Sequence, residues 1–412
     1  MHSWLSSLIM VACTEDKAQV HDTSSLDTVD TDTVVQDTAR DTDVPETLLY
    51  YPDIQPLVVR ACNRCHREGG ATFTMEDHSY AVGFSQLIST VLMEGSRPPP
   101  VPEGDCRPYT MDGWFLSMEE RQRFLLWHEQ GAMVGDIADS ISTPEYTSPT
   151  LEHNLYVSRA FQPNSNNQSR CFVFDLENEE PLGLSQLNVQ IDNERIVHHA
   201  TLFLAPASFV EPSTQDSQSG FNCLDKGEST WTYLLGWTTG TPALSFPENT
   251  QYTLPAQSKL ILQAFYNNRD QDAQTDRSGI GYTVQTNPNA TEIVRHQFSA
   301  GNFTIPPNST QENIVTYIEW ESDASDILVV QPRLYWNGIR FSLHKAEECL
   351  LEYTRWDFGT VFPVEYREPL AIDRGDSLQM QCSYKNFQNH PISSGTGAEG
   401  EMCDLIVYSV AR

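Results

Sequence analysis

From about residue 150 to the C-terminus the apolar residues come in short runs, and this texture restricts the fold more than any other feature of the chain. Cys171-Phe172-Val173-Phe174, Ala200-Thr201-Leu202-Phe203-Leu204, Lys259-Leu260-Ile261-Leu262 and Asp326-Ile327-Leu328-Val329-Val330 are separated by clusters of Pro, Gly, Asn and Ser. Short β-rich runs punctuated by turn residues are the pattern of β-sandwiches. Roughly 260 residues carry it, enough for two sandwiches. Ile305-Pro306-Pro307-Asn308 begins a fresh segment after a Gly- and Asn-rich turn near 301. A boundary near 295 follows, giving units 150–294 and 295–412.

Residues 50–140 read instead as small and helical. Asp53 can cap a helix with Pro56 in its first turn, after which Ile54, Leu57, Val58 and Ala61 share one face. Ser117 and Glu120 have capping-box spacing, and the helix carrying Phe124, Leu125 and Trp127 stops at Gly131. The expected fold is therefore multidomain: a small all-α segment, then two all-β sandwiches.

The first of these helices delivers Cys62-Asn63-Arg64-Cys65-His66, the C-x-x-C-H pattern of covalent c-type haem attachment. Two thiols one helical turn apart can each add to a haem vinyl group, and the next imidazole then lies beneath the iron as its proximal ligand. With 9 Cys and 11 His in 412 residues, chance supplies only about 0.005 such motifs. The competing readings are a Cys62–Cys65 disulfide and half of a zinc site, but neither needs His66 and no second C-x-x-C completes a zinc set. The segment is thus expected to be a cytochrome c-like haem domain. Its distal ligand is less defined: the Pro-rich loop Arg97–Pro102 has Pro98 where small cytochromes c would carry Met, leaving Met93, Met111 and Met118 as candidates.

Composition narrows the function further. A formal net charge of −31 repels nucleic acid and anionic lipid, so nucleic-acid functions are set aside. Trp4–Ala12 is a short apolar stretch before Cys13, and Met10-Val11-Ala12-Cys13 reads as a lipobox that makes Cys13 a lipid anchor, with residues 1–13 as signal and anchor. Residues 14–49 repeat Asp and Thr and read as a disordered spacer. The membrane is then reached through the anchor alone, in a bacterial envelope, periplasmic or outer-membrane, where nine cysteines suit an oxidising compartment. Walker, G-x-G-x-x-G, H-E-x-x-H and G-x-S-x-G patterns are missing, which removes support for nucleotide, zinc-protease and hydrolase readings.

Ordered landmarks now carry a resemblance. They are Arg170-Cys171-Phe172-Val173, Val197-His198-His199-Ala200-Thr201-Leu202-Phe203, Gly236-Trp237, Leu262-Gln263-Ala264-Phe265-Tyr266-Asn267-Asn268, Ile305-Pro306-Pro307, Trp356-Asp357-Phe358, Gly375-Asp376 and Glu401-Met402-Cys403. Over roughly 150–412 the chain resembles the type II copper, ascorbate-dependent monooxygenases, the peptidylglycine α-hydroxylating and dopamine β-monooxygenase group, whose bacterial members often carry a preceding cytochrome c domain.

The resemblance implies two tandem jelly rolls, each holding one copper. His198 and His199 match the adjacent pair of the first site, but its third ligand falls on Phe265. Met402 matches the second site, whose His-x-His falls on Arg333-Leu334-Tyr335. Three of six ligands are replaced, so ordinary copper hydroxylation is not expected, while His198 and His199 can still hold one Cu(I) if a twist or bulge makes them converge. His296 or His344 could substitute for a lost ligand, although nothing in their spacing demands it. The resemblance also implies a Cys382–Cys403 disulfide and, in the first unit, Cys171 with Cys223; Cys106 and Cys349 remain unassigned.

The leading expectation is a haem redox lipoprotein that passes single electrons to an envelope partner on a degenerate copper scaffold. The alternative is an inactive jelly-roll module that binds a peptide, glycan, small molecule or protein partner and is tethered to a cytochrome c. A metal-free amidase is a distant third, by fold analogy alone.

Overall fold

The computed structural model describes residues 47–70, 73–94, 106–111, 115–144, 150–213, 218–223, 228, 230–268, 273–359, 361–395 and 400–412. Cys13, the Asp/Thr-rich spacer up to residue 46 and the Arg97–Pro102 loop lie outside them, whereas residues 47–49, expected to be disordered spacer, are part of the fold: Leu48 is buried in the helical core and its N–H donates to Gln130 Oε1.

Four α-helices come first: α1 (Gln55–Ala61), α2 (His78–Gly83), α3 (Ser85–Glu94) and α4 (Met118–Glu129). Asp53 does not cap α1 as expected. A π-helical turn, Tyr50–Ile54, precedes the helix, because the Tyr50 and Tyr51 N–H groups bond to the Met133 and Val134 carbonyls; the Asp53 carboxylate reaches back to the Leu49 N–H. The α4 capping box is present, with Ser117 Oγ accepting from the Glu120 N–H and Glu120 accepting from the Ser117 N–H. Gly131, at φ +97°, ends that helix. Tyr50, Ile54, Val58, Met75, Phe124 and Trp127 form the helical core. No helix among the described residues is long and apolar enough to cross a membrane.

The remainder is β-sheet. The first strands are β1 (His153–Tyr156), β2 (Asn167–Asp175), β3 (Leu182–Gln190), β4 (Val197–Ala205), β5 (Phe221–Asn222), β6 (Thr232–Thr238), β7 (Leu244–Ser245), β8 (Thr250–Leu254), β9 (Lys259–Asn267) and β10 (Gly279–Val284). The rest are β11 (Thr291–Ser299), β12 (Thr304–Ile305), β13 (Ser309–Glu319), β14 (Ser325–Arg333), β15 (Gly338–Lys345), β16 (Glu348–Tyr353), β17 (Val364–Ile372), β18 (Ser377–Asn386), β19 (Ile392–Ser393) and β20 (Asp404–Ala411). All four apolar runs noted above lie within strands.

A five-stranded sheet, β5-β2-β9-β4-β6, and a four-stranded sheet, β13-β18-β15-β16, each cover part of a nine-stranded sheet ordered β1-β10-β3-β8-β11-β20-β14-β17 with β7 beside β3. The short pair β12–β19 stands apart. Residue 295, where the sequence suggests a boundary, lies inside β11. That strand starts parallel to β8 at Thr291 and Glu292, then runs antiparallel to β20 from Ile293.

Strands β14 and β20 are buried on both faces, which explains their unbroken apolar runs. Leu328, Val329, Ile406 and Tyr408 belong to the first β core, whereas Ile327, Val330, Leu405 and Val407 belong to the second. A bulge between Ile327 and Val329 reassigns the faces. The first and second β units therefore share a wall.

At this join Gly236 of β6 meets the segment at Val361: a Cβ on Gly236 would lie 1.9 Å from the Val361 carbonyl oxygen. Gly236→Ala should cost about 1–3 kcal/mol or more in urea unfolding. Gly83→Ala, at the open end of α2, is the control and should be neutral or slightly stabilising. Equal midpoints for the two variants would contradict the close join.

Candidate functional site

The C-x-x-C-H segment continues from α1 as a further turn. The Cys62 N–H bonds to the Val58 carbonyl at 2.8 Å, and the Cys65 and His66 N–H groups bond to the Cys62 carbonyl at 3.0 and 2.8 Å. Residues three and four apart on such a turn share one side, which groups both thiols with the imidazole. Cys106–Cys349, Cys171–Cys223 and Cys382–Cys403 are disulfides, so Cys62 and Cys65 are the two free thiols among the described residues. The Cys106–Cys349 pair resolves the assignment left open by the sequence. Its grouping with Glu352 is no metal site, since both sulfurs are consumed by the disulfide.

His66 Nδ1 lies 3.1 Å from the Phe73 carbonyl oxygen. With the proton held there, Nε2 keeps a lone pair for a metal. Burial lowers the His66 pKa and the Phe73 carbonyl partly offsets it, which also favours the neutral, ligating form. The His66 ring lies 4.3 Å from the Phe73 ring, and Phe73, Tyr80 and Phe84 follow as a near-parallel ladder with 6.3 and 6.1 Å spacings. All three are exposed, as is Leu87. An exposed apolar row that continues from the His66 ring is a surface that a planar apolar cofactor can cover. Sequence reasoning missed this row, although its spacing from the motif was readable.

The candidate distal methionines are scattered. Met93, near the end of α3, and Met118, at the start of α4, are exposed. Met111 is buried in the second β core, carried there by the Cys106–Cys349 disulfide and the Tyr109–Tyr366 bridge. It serves packing.

His198 and His199 are adjacent on β4, and neighbouring strand residues ordinarily face apart. A register shift against β9 between Val197 and His199 lets them converge, so that their Nδ1 atoms lie 3.0 Å apart. Two nitrogens at that separation can both reach one ion at about 2.0–2.1 Å. Burial, and then His198, push the His199 pKa down to about 3, so its imidazole is neutral at ordinary pH. Phe265, where a third ligand is expected, stacks on His199 at 4.9 Å, and Phe358 stacks on His198 at 5.8 Å. Trp336, 49 % exposed, packs on Phe358. Two imidazoles are a donor type that suits a soft ion, and here they sit among packed aromatic rings and share one hydrogen bond between their Nδ1 atoms.

The second set does not fit copper. The Arg333 guanidinium lies 4.1 Å over the Tyr233 ring and 3.6 Å from Asp404, both side chains being mostly buried. Leu334 is in the second core, and Tyr335 packs against Trp336. Buried Glu401 accepts from the Tyr335 and Asn337 N–H groups and from Asn337 Nδ2, fixing this turn. Met402 is half-buried, and its carbonyl accepts from the Tyr384 hydroxyl. A fixed cation stands where metal ligands are needed. Neither alternative histidine joins the pair: His296 Nε2 is 2.9 Å from Ser409 Oγ, and His344 sits on β15 opposite Cys349 and Gln379.

Neither a protein-family model nor a curated protein matches the chain. Among solved structures, the major capsid protein P2 of bacteriophage PM2 aligns over 63 % of this chain and 97 % of its own at 8 % identity, TM-score 0.24. N-glycanase F (PNGase F) aligns over 63 % and 95 % at 9 % identity, TM-score 0.27. Likeness at this level transfers neither fold detail nor activity.

Burial raises the thiol pKa values of Cys62 to about 12 and Cys65 to about 11. In haem-free folded protein both stay protonated at pH 8, so iodoacetamide should react on the order of a hundredfold or more slowly than with the urea-unfolded chain. Equal rates would contradict the enclosure of this turn.

Proposed function

We propose that the chain is a c-type haem redox protein of the copper type II, ascorbate-dependent monooxygenase family, with a degenerate copper centre. In this reading Cys62 and Cys65 bond the haem and His66 ligates its iron. The observation that carries it is selective: the described cysteines are paired in disulfides except the two in the C-x-x-C-H turn. A close C-x-x-C pair in an oxidising compartment would ordinarily close on itself, unless its sulfurs have another covalent use. The haem supplies reversible one-electron chemistry. The protein's own residues hold it: the Phe73 carbonyl fixes the His66 tautomer, and the Phe73, Tyr80, Phe84 and Leu87 row covers apolar surface.

The first β unit keeps a reduced metal site at His198 and His199, suited to one Cu(I), and the second keeps none. Both units are then jelly rolls inherited from an oxygenase scaffold. The lipid anchor at Cys13, the envelope location and an external electron-transfer partner complete the proposal.

A second reading has one observation in its favour. Trp336 is half exposed beside Phe358, over His198, which is a surface suited to stacking a ring of a ligand. The β units would then be a binding module for a peptide, glycan or small molecule.

Protein matured with haem-attachment machinery should contain one iron and no more than one copper per chain. His198→Ala with His199→Ala should remove the copper and leave the iron. Two tightly held coppers, or copper that survives the double substitution, would contradict the site assignments. Iron without copper in the unaltered protein favours the binding module.

A further inference from the structure

The helical segment meets the first β unit through the attachment turn itself. Cys65 Sγ lies 3.3 Å from the Thr239 carbonyl oxygen. Thr239 sits on a tight turn closed by the Thr241 N–H bonding to the Thr238 carbonyl and by Thr241 Oγ1 accepting from the Thr238 N–H. Gly240 takes φ +88° in this turn and leaves the approach open: a Cβ there would lie 3.6 Å from Arg64 Cβ and 3.8 Å from Cys65 Sγ. Two residues beyond Cys65, Arg67 Nη2 donates to Glu194 Oε2 at 2.8 Å, with the two side chains only 15 % and 12 % exposed. Thr238, at the base of the turn, is the ladder partner of His199.

Desolvating both charges is costly, so such a pair adds little stability compared with apolar packing, and in some proteins a pair of this kind serves to select one geometry. Here that geometry sets the attachment turn against the histidine-bearing strands.

We propose that Arg67 and Glu194 are positioning residues of a docking joint that seats the haem-attachment turn on the β6 end beside His199. The neighbour of the attached group is then the metal-binding end of the first β unit of the same chain. The inference rests on the haem reading and names the surface that the haem segment engages. It does not require the histidine pair to be loaded.

The test uses full-length, haem-matured protein. Arg67→Gln with Glu194→Gln removes both charges without leaving one buried and unpaired, so the fold is kept. Amide exchange at residues 238–241 should quicken about tenfold or more as the joint opens, and the haem midpoint potential should fall because a more exposed haem favours the ferric charge. The swap, Arg67→Glu with Glu194→Arg, should restore both readouts toward the unaltered protein. Unchanged exchange in the neutral pair, or no recovery in the swap, overturns the proposal. Faster exchange with an unmoved potential reduces the pair to a local brace and overturns it too. Failure of the underlying haem reading is distinguishable, since the unaltered protein would then lack a Soret band before any variant is compared.

Discussion

Two strands with no solvent face hold this molecule together. β14 and β20 pair with each other and bury one set of side chains in each β core, so neither unit can be separated without exposing the other. The aromatic cluster around the β4 histidines lies where the two units meet. β14 runs directly into Arg333 and the 334–337 turn, which packs Trp336 of the second unit against Phe265 of β9 in the first and against Phe358. Gly236 and Val361 meet close by, and their contact leaves no room for a side chain at 236.

The two prospective metal positions diverge for a chemical reason. The first retains two imidazoles, one of them kept neutral by burial, together with a register shift that brings their Nδ1 atoms together. At the second, a guanidinium occupies the position and is balanced by Asp404 and the Tyr233 ring. That arrangement pairs the buried charges at the join between the units.

Much of this was legible in the sequence, and the exceptions have physical causes. The strands were readable because β-branched and aromatic runs have few other uses, and the α4 capping box because it is local. The start of α1 was misplaced because its first turn is organised by the Met133 and Val134 carbonyls, about eighty residues away. The shared wall could not be seen either, since doubly buried strands announce burial but not which two cores they serve. At the site, the thiols, His66, His198 and His199 came from motifs. The aromatic ladder, the Trp336 cover, the Cys106–Cys349 disulfide and the Arg67–Glu194 pair depend on tertiary placement, and no spacing rule encodes them.

Everything functional turns on what the Cys62 and Cys65 sulfurs are bonded to in mature protein. Peptide mass spectrometry of the fragment spanning Cys62 to His66, released by cleavage after Glu46 and Glu68 so that Arg64 is left uncut, from protein matured with haem-attachment machinery, answers this directly. The account predicts a single fragment carrying one haem through two thioether bonds, with no free thiol. A fragment recovered as a free dithiol, or closed as a Cys62–Cys65 disulfide with no porphyrin attached, would contradict it.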